Sequence, residues 1–108
     1  MDFKDKVVLV TGSSRGIGKA TALAFARQGA RVVINYITAK KEAEKTLAEV
    51  KALGVEAITV QCDVSKPEEV KRMFEETVKK FGRVDVLVNN AGVFVGANSF
   101  EESTVEDW

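Results

Sequence analysis

The sequence has 108 residues, of which 45% are hydrophobic and 30% charged, and these proportions are typical of one small globular domain. Its 16 basic and 16 acidic residues cancel, and the lack of a basic stripe or a long apolar run excludes nucleic-acid and membrane partners and favours a cytoplasmic location. The single cysteine and the absence of histidine exclude an internal disulfide, a Ser/His/Asp triad and the usual zinc sites, so no metal is expected.

Four short apolar runs predict the strands of a parallel sheet. Each run is rich in β-branched residues and is continuous rather than alternating, as in strands that are buried on both faces. The runs cover Lys6–Thr11, Arg31–Asn35, Glu56–Gln61 and Val84–Val88.

Three segments between these runs predict helices. The first, residues 16–28, is apolar nearly all round and rich in small residues, so we expect it to pack close to the sheet. The second, residues 39–53, carries lysines and glutamates on one face and mostly apolar side chains on the other. The third follows Ser65-Lys66-Pro67-Glu68, which has the pattern of a capping box with proline in the first turn, and it ends at Gly82.

The alternation of strands and helices predicts an α/β fold with a doubly wound parallel sheet. Parallel neighbours need crossover connections, and these are right-handed in nearly all proteins, which gives the strand order 3-2-1-4. Ligands of such sheets bind beyond the carboxyl ends of the strands, where the topology reverses between the first and the fourth strand. In the residues given, we expect the outer edge of the fourth strand to be unpaired.

The stretch TGSSRGIG, residues 11–18, leaves the first strand and opens the first helix. A helix start presents unpaired N–H groups and the positive end of the helix dipole, which together attract phosphate. Gly12 suits a tight turn, and Gly16 or Gly18 allows close helix packing or the approach of a pyrophosphate, while the two serines offer hydroxyl donors. The glycine spacing differs from the G-x-G-x-x-G of dinucleotide-binding proteins, so the stretch alone is equally compatible with a plain strand-to-helix turn.

Small or polar residues also follow the other three predicted strands. They are Asn35-Tyr36 after the second, Cys62-Asp63-Val64 after the third and Asn89-Asn90-Ala91-Gly92 after the fourth. Asp63 can accept a hydrogen bond from an adenine amino group, or it can be an ordinary loop acid near a helix start. The residues after the fourth strand can line a flat ring or a ribose, or simply form a turn. We interpret Cys62 as a small core residue rather than a reactive thiol, which needs an exposed, electropositive setting.

Taken together, TGSSRGIG, Asp63-Val64 and NNAG resemble the cofactor-side motifs of the short-chain dehydrogenase/reductase family, in the same order and at compatible spacing. The resemblance covers nearly the whole chain, including FGRVDVLVNNAG and the closing EDW. Among members of the family, the segment VVINY resembles that of the 3-oxoacyl-[acyl-carrier-protein] reductases first and that of the glucose dehydrogenases second. It implies a Rossmann-type NAD(P)-binding domain over residues 1–108. It also implies an oxidoreductase that transfers a hydride between nicotinamide and a carbonyl or alcohol substrate.

The resemblance further implies a role for each residue at the strand ends. The pyrophosphate and the adjacent ribose would be held by Gly12, Ser14, Arg15, Gly16, Ile17 and Gly18. The adenosine end would lie at Asn35 and Tyr36, with the adenine at Asp63 and Val64, and the ribose and nicotinamide side at Asn90, Ala91 and Gly92. Asn89 is expected to tie neighbouring strands together.

The choice between NADP and NAD depends on the end of the second strand. Proteins that prefer NAD often have an acidic residue there, which binds the ribose 2′-hydroxyl and repels a 2′-phosphate. This chain has Asn35 and Tyr36 instead, and Arg15 in the glycine-rich stretch can reach toward a 2′-phosphate. We therefore expect NADP as the preferred cofactor, while a solvated Arg15 would leave NAD as an acceptable one.

The catalytic residues that the resemblance implies are not found in this sequence. The family uses a serine and a Tyr-x-x-x-Lys helix, but the only tyrosine, Tyr36, falls at the adenosine end, and we assign neither it nor Lys40 a catalytic role. The chain ends at Trp108, at the start of a fourth predicted helix, so we expect it to lack a carboxyl-terminal half and to be inactive alone. The alternative is a stand-alone, non-catalytic dinucleotide-binding module. The full-length form is expected to be a homo-oligomer.

Overall fold

The computed structural model describes residues 3–89 and the backbone of residues 92–95. Its strands are β1 (Val7–Val10), β2 (Arg31–Tyr36), β3 (Ala57–Gln61), β4 (Val86–Asn89) and β5 (Gly92–Val95), and its helices are α1 (Gly16–Arg27), α2 (Lys40–Lys51) and α3 (Pro67–Phe81). The strands and helices predicted up to residue 89 are all present, with small shifts at their ends, and the predicted start of a fourth helix lies outside the described residues. Within the described part, none of the helices has the length and apolar character needed to cross a membrane.

The strands form one sheet in the order β3-β2-β1-β4-β5. The first four pair in parallel, which confirms the α/β fold and the predicted order 3-2-1-4. β5 pairs antiparallel with β4, with Asn89 opposite Gly92, so the expectation of an unpaired outer edge on the fourth strand is wrong. An antiparallel neighbour needs only a short connection, and the continuous apolar pattern of a buried parallel strand gives no sign of it.

Alternate residues of each strand lie on opposite faces of the sheet, and each face has its own hydrophobic core. Val8 of β1 lies in a cluster with Ala22 of α1 and Ala43 of α2, whereas Leu9 lies in a second cluster with Met73 of α3. Burial of both faces explains why the strands read as continuous apolar runs. Each fully buried valine or leucine side chain contributes about 1.5–3 kcal/mol to the stability of this arrangement.

The start of α3 differs in detail from its prediction. Lys66 precedes the helix and makes no side-chain capping bond, and the hydroxyl of Ser65 donates to Oδ1 of Asp63 at 2.7 Å. The predicted capping box is therefore wrong: Pro67 is the first helical residue, so that Lys66 rather than Ser65 holds the N-cap position, and the Ser65 hydroxyl bonds to Asp63 instead. The predicted end is confirmed, since Gly82 adopts the left-handed conformation that closes a helix.

Candidate functional site

The loops that follow the parallel strands lie at one edge of the sheet, the edge formed by the carboxyl ends of these strands. The loop after β1 is bonded to both neighbouring strands: the Thr11 N–H donates to the Val88 carbonyl at 2.9 Å, and the Ser13 N–H donates to the Asn35 carbonyl at 3.0 Å. The segment after β3 is joined to the end of β2 by a backbone bond from the Cys62 N–H at 2.9 Å. The described residues of the predicted site therefore lie at the edge where such sheets bind ligands.

The three glycines of TGSSRGIG have different structural roles. Gly12 and Gly16 adopt left-handed backbone conformations, with φ of +57° and +64°. A Cβ on Gly18 would lie 2.8 Å from the Ser13 Cα and still closer to the Gly12 carbonyl oxygen, so only glycine lets α1 pack on the preceding turn. A Cβ on Gly16 would meet no atom within 4 Å. The structure thus assigns close packing to Gly18 and open space to Gly16, a division that the sequence left undecided.

The exposed part of this loop forms an open surface at the amino terminus of α1. Gly12, Arg15 and Gly16 are exposed, and Ile17 retains 81% of its accessible surface. The first N–H groups of a helix have no acceptor within it, and the helix dipole adds a positive potential at the same place. Open space, N–H donors and an exposed apolar side chain fit a phosphate-bearing ligand with an adjacent ring.

Arg15 is the residue that precedes the first turn of α1, and its guanidinium is available to a ligand. Its side chain makes no capping bond, and within residues 3–89 it takes part in no ion pair. Lys19, one turn further along α1, is instead paired with Glu49 of α2 at 2.5 Å. A cation beside a glycine-rich loop, without an acidic partner in the described chain, favours the binding of an additional phosphate.

Asn35, predicted at the adenosine end of a cofactor, binds the protein itself through its side chain. It is 1% exposed; its Oδ1 accepts from the Gly12 N–H at 3.0 Å, and its Nδ2 donates to the carbonyls of Cys62 at 3.1 Å and Val60 at 3.3 Å. One carboxamide thus joins the loop before α1 to the end of β3. Tyr36, which follows, is half-buried and packs against the core that includes α1 and α2.

Two buried hydroxyls hold the loop, and neither role was predicted from the sequence. The Ser13 hydroxyl donates to the Val10 carbonyl at 2.6 Å and accepts from the Asn35 N–H at 3.0 Å, so it serves the loop rather than a ligand. The Thr46 hydroxyl of α2 donates to the Ser14 carbonyl at 2.8 Å. A threonine within an otherwise apolar helical face is the sequence signal for such a bond, because buried polar groups almost always have partners.

Asp63, predicted to lie near an adenine, is held in a tight turn. Its Oδ1 accepts from the hydroxyl of Ser65 at 2.7 Å and from the Ser65 N–H at 3.0 Å, and these bonds lower the pKa of the carboxyl from its ordinary value. Its own N–H donates to Oε1 of Glu69 at 2.9 Å. Oδ2 has no hydrogen-bond partner in the part of the chain that the structure describes, which leaves it able to accept from a ligand.

The residues on either side of Asp63 belong to the core. Cys62 is fully buried, and this burial, followed by the negative charge of Glu69, raises the pKa of its thiol to about 11. The thiol is therefore protonated at neutral pH, in agreement with its interpretation as a small core residue. Val64 is half-buried and packs against the cluster that includes α3.

The remaining residues of the predicted site lie near the end of the described chain. Asn90 and Ala91 fall outside the described residues, and Gly92 begins β5. Tyr36 ends β2 whereas Lys40 begins α2, so these two do not share a helix as a Tyr-x-x-x-Lys pair does. In residues 3–89 and 92–95, no three His, Cys, Asp or Glu side chains form a group that could hold a metal ion.

Comparison with known proteins identifies the family. A family profile described as short chain dehydrogenase matches residues 6–108. The chain belongs to the short-chain dehydrogenase family. The match confirms the resemblance carried by TGSSRGIG, Asp63-Val64 and NNAG, and it extends over the whole described fold.

Individual short-chain dehydrogenases and related reductases resemble the chain over its sheet and helices. The 3-oxoacyl-[acyl-carrier-protein] reductase FabG of Staphylococcus epidermidis is 52% identical over 89 residues, which cover 82% of this chain and 36% of that protein. A solved short-chain dehydrogenase of Burkholderia cenocepacia in complex with NADP is 40% identical with a TM-score of 0.78, over 81% of this chain and 36% of that one. An NAD+-bound xylitol dehydrogenase is 38% identical with a TM-score of 0.77, over 81% and 33%. The chain thus spans at most 36% of the length of these relatives.

Proposed function

We propose that this chain forms the dinucleotide site of an oxidoreductase that transfers a hydride between a nicotinamide cofactor and a carbonyl or alcohol substrate. The observation that carries the proposal is the open start of α1, where Gly12, Arg15 and Gly16 are exposed beside helix N–H groups at the carboxyl edge of a parallel sheet. Two similar solved structures hold NADP and NAD+ at 40% and 38% identity, which supports it. A bound dinucleotide supplies the ring that donates or accepts the hydride.

The loop before α1 is assigned to the pyrophosphate and its adjacent ribose. The residues that form this part of the site are Gly12, Ser14, Arg15, Gly16, Ile17 and Gly18. Within this group, Gly18 acts by letting α1 approach the Gly12 turn, and Ser14 is buried apart from 8% of its surface.

The segment after β3 is assigned to the adenine. Oδ2 of Asp63 would accept from the adenine amino group, and the half-buried Val64 would contact the ring. Asn35 and Tyr36 mark the adenosine end, where the Asn35 side chain supports the loop through its bond to the Gly12 N–H. Asn90, Ala91 and Gly92 remain the predicted contacts of the nicotinamide side.

We further propose that NADP is preferred over NAD. The end of β2 carries Asn35 and Tyr36 in place of an acidic residue, and the Arg15 guanidinium has no ion-pair partner among residues 3–89. A 2′-phosphate would therefore meet a positive charge and no negative one at this position. NAD remains the second candidate, because a similar solved structure, the xylitol dehydrogenase, holds NAD+.

The chemical step is assigned to residues that this chain does not provide. Tyr36 is the single tyrosine of the sequence, and it ends strand β2, whereas Lys40 begins helix α2. The two side chains therefore do not lie on one face of a shared helix, as a Tyr-x-x-x-Lys pair needs for proton transfer. We therefore expect the chain alone to bind the dinucleotide without reducing a carbonyl compound.

Calorimetric titration with NADPH and NADH tests the binding proposal. We expect saturable binding of NADPH and weaker binding of NADH, and no binding of either would contradict the proposed function. NADPH absorbance in the presence of a 3-oxoacyl thioester tests the chemical assignment, since oxidation by this chain alone would contradict it. The same assay on any longer protein that contains the chain separates an oxidoreductase, which oxidises NADPH, from a non-catalytic dinucleotide-binding module, which does not.

A further inference from the structure

Thr46 is a polar residue on the buried face of α2. Its neighbours on this face, Ala43 and Val50, are apolar and fully buried, and Thr46 itself is fully buried. Its hydroxyl donates to the Ser14 carbonyl at 2.8 Å, across the contact between α2 and the loop before α1. The bond joins residues that are 32 positions apart in the chain, so it exists only in the folded protein.

A second buried threonine shows what the hydroxyl of Thr46 would do in the absence of this partner. Thr77 of α3 is also fully buried, and its hydroxyl donates to the Met73 carbonyl at 2.8 Å within its own helix. This local bond to the preceding turn is the usual one for a threonine inside a helix. Thr46 bonds to the loop instead, so its hydroxyl contributes to tertiary structure rather than to the helix that carries it.

The Ser14 carbonyl needs a partner from outside α1. The first backbone bond of α1 runs from the Lys19 N–H to the carbonyl of Arg15, the residue after Ser14, so the helix supplies no donor to the Ser14 carbonyl. Ser14 is only 8% exposed, so a carbonyl without a donor there would be costly. Because a peptide unit is planar and trans, fixing this carbonyl toward α2 also fixes the following N–H of Arg15 in the opposite direction.

We propose that Thr46 is a positioning residue for the phosphate-binding loop, holding residues 14–16 in their binding conformation before the dinucleotide arrives. The inference rests on the proposed dinucleotide site and adds a residue of α2 that does not itself contact the ligand. Without the hydroxyl, the loop populates other conformations, and the apparent affinity equals the intrinsic affinity multiplied by the fraction of molecules that remain competent to bind.

The experiment compares three variants of the chain by calorimetric titration with NADPH. Thr46→Val removes the hydroxyl and keeps the shape, Thr46→Ser keeps the hydroxyl, and Thr77→Val removes a matched buried hydroxyl remote from the loop. We expect Thr46→Val to weaken NADPH binding about fivefold, and Thr46→Ser and Thr77→Val to stay within about twofold of the wild type. Thr46→Val should lower the melting temperature by about 5 °C and Thr77→Val by less, because the Met73 carbonyl keeps the N–H donor of its own helix whereas the Ser14 carbonyl loses the Thr46 donor.

Amide hydrogen exchange of the ligand-free protein provides a second measurement, because it reports opening of the loop directly. Exchange at residues 14–16 should be faster in Thr46→Val and unchanged in Thr77→Val. If Thr46→Val is unstable, both measurements are made on all variants in the stabilising osmolyte TMAO.

The possible outcomes separate this inference from the proposed function. Unchanged NADPH affinity in Thr46→Val, or an equal loss in Thr77→Val, overturns the positioning role and leaves the dinucleotide site standing. Failure of the wild-type chain to bind NADPH or NADH overturns the proposed function and this inference with it.

Discussion

The carboxamide of Asn35 lies between the Gly12 N–H, 3.0 Å from its Oδ1, and the Cys62 carbonyl, 3.1 Å from its Nδ2. This side chain at the end of β2 therefore links the loop after β1 to the segment after β3. Any ligand that contacts both Gly12 and Asp63 meets two loops that are joined through one buried side-chain amide, in addition to their backbone bonds to β2.

Asn35→Leu should destabilise the protein by about 3 kcal/mol, because it removes the amide that bonds to the Gly12 N–H and to the Cys62 and Val60 carbonyls and places an apolar side chain of similar volume against these polar groups. Urea unfolding measures the loss. Gln61→Leu is the control, since the Gln61 amide also donates to a carbonyl, at 3.2 Å to Ile37, but in an exposed position. We expect the control to change the free energy of unfolding by less than about 0.5 kcal/mol. An equal loss in the free energy of unfolding for both substitutions would show that the buried Asn35 amide contributes no more to stability than an exposed one.

Gly18→Ala and Gly16→Ala should differ clearly in the free energy of unfolding. The new methyl group at position 18 would collide with the Gly12 carbonyl and the Ser13 Cα, which requires a shift of α1 or of the turn, at a cost of about 3 kcal/mol. At position 16 the methyl group has open space, and only the left-handed conformation is unfavourable, by about 1 kcal/mol. Chemical unfolding of both variants checks this order, and a larger loss at position 16 would contradict the packing role of Gly18.

Arg15→Ala should weaken NADPH binding about tenfold and NADH binding by a smaller factor, because only NADPH carries the 2′-phosphate that the guanidinium is proposed to contact. Calorimetry with both dinucleotides gives the ratio of the NADPH and NADH dissociation constants for each variant. Arg27→Ala, at the opposite end of α1, removes the same charge away from the loop and should alter neither affinity. An equal loss for NADPH and NADH in Arg15→Ala would remove the argument for NADP.

Ser65→Ala should raise the pKa of Asp63 toward its ordinary value of 3.8, because both donors to Oδ1 come from Ser65 and the hydroxyl is the larger cause of the lowered pKa. A carboxyl with a lowered folded-state pKa stabilises the protein above its unfolded-state pKa, and this contribution is lost as the pH falls through the folded-state value. The stability difference between the wild type and Ser65→Ala should therefore be present at neutral pH and vanish in acid.

NMR titration of the Asp63 carboxyl measures the pKa, and Ser65→Thr, which keeps the hydroxyl, should leave it low. An unchanged pKa in Ser65→Ala would show that the hydroxyl bond does not control it.

The boundaries of strands and helices were largely predictable because their causes are local. Valine-rich runs such as VVLV require burial on both faces, and Pro67 and Gly82 set the ends of α3 through their backbone preferences. The capping box failed because Ser65 has a closer partner in Asp63. The antiparallel β5 was missed because strand pairing depends on neighbours rather than on the composition of the strand.

The sequence by itself determined the fold class, the order of the four parallel strands and the family, because repeated hydrophobic patterns and short motifs at strand ends carry that information. Only the tertiary structure decided what individual residues in the site do. Gly18 and Gly16 look alike in TGSSRGIG, but packing separates them, and Asn35 and Thr46 hold the loop through bonds to residues 23 and 32 positions away. Such roles depend on which backbone groups the folded chain leaves buried and unpaired, and no local pattern of residues records that.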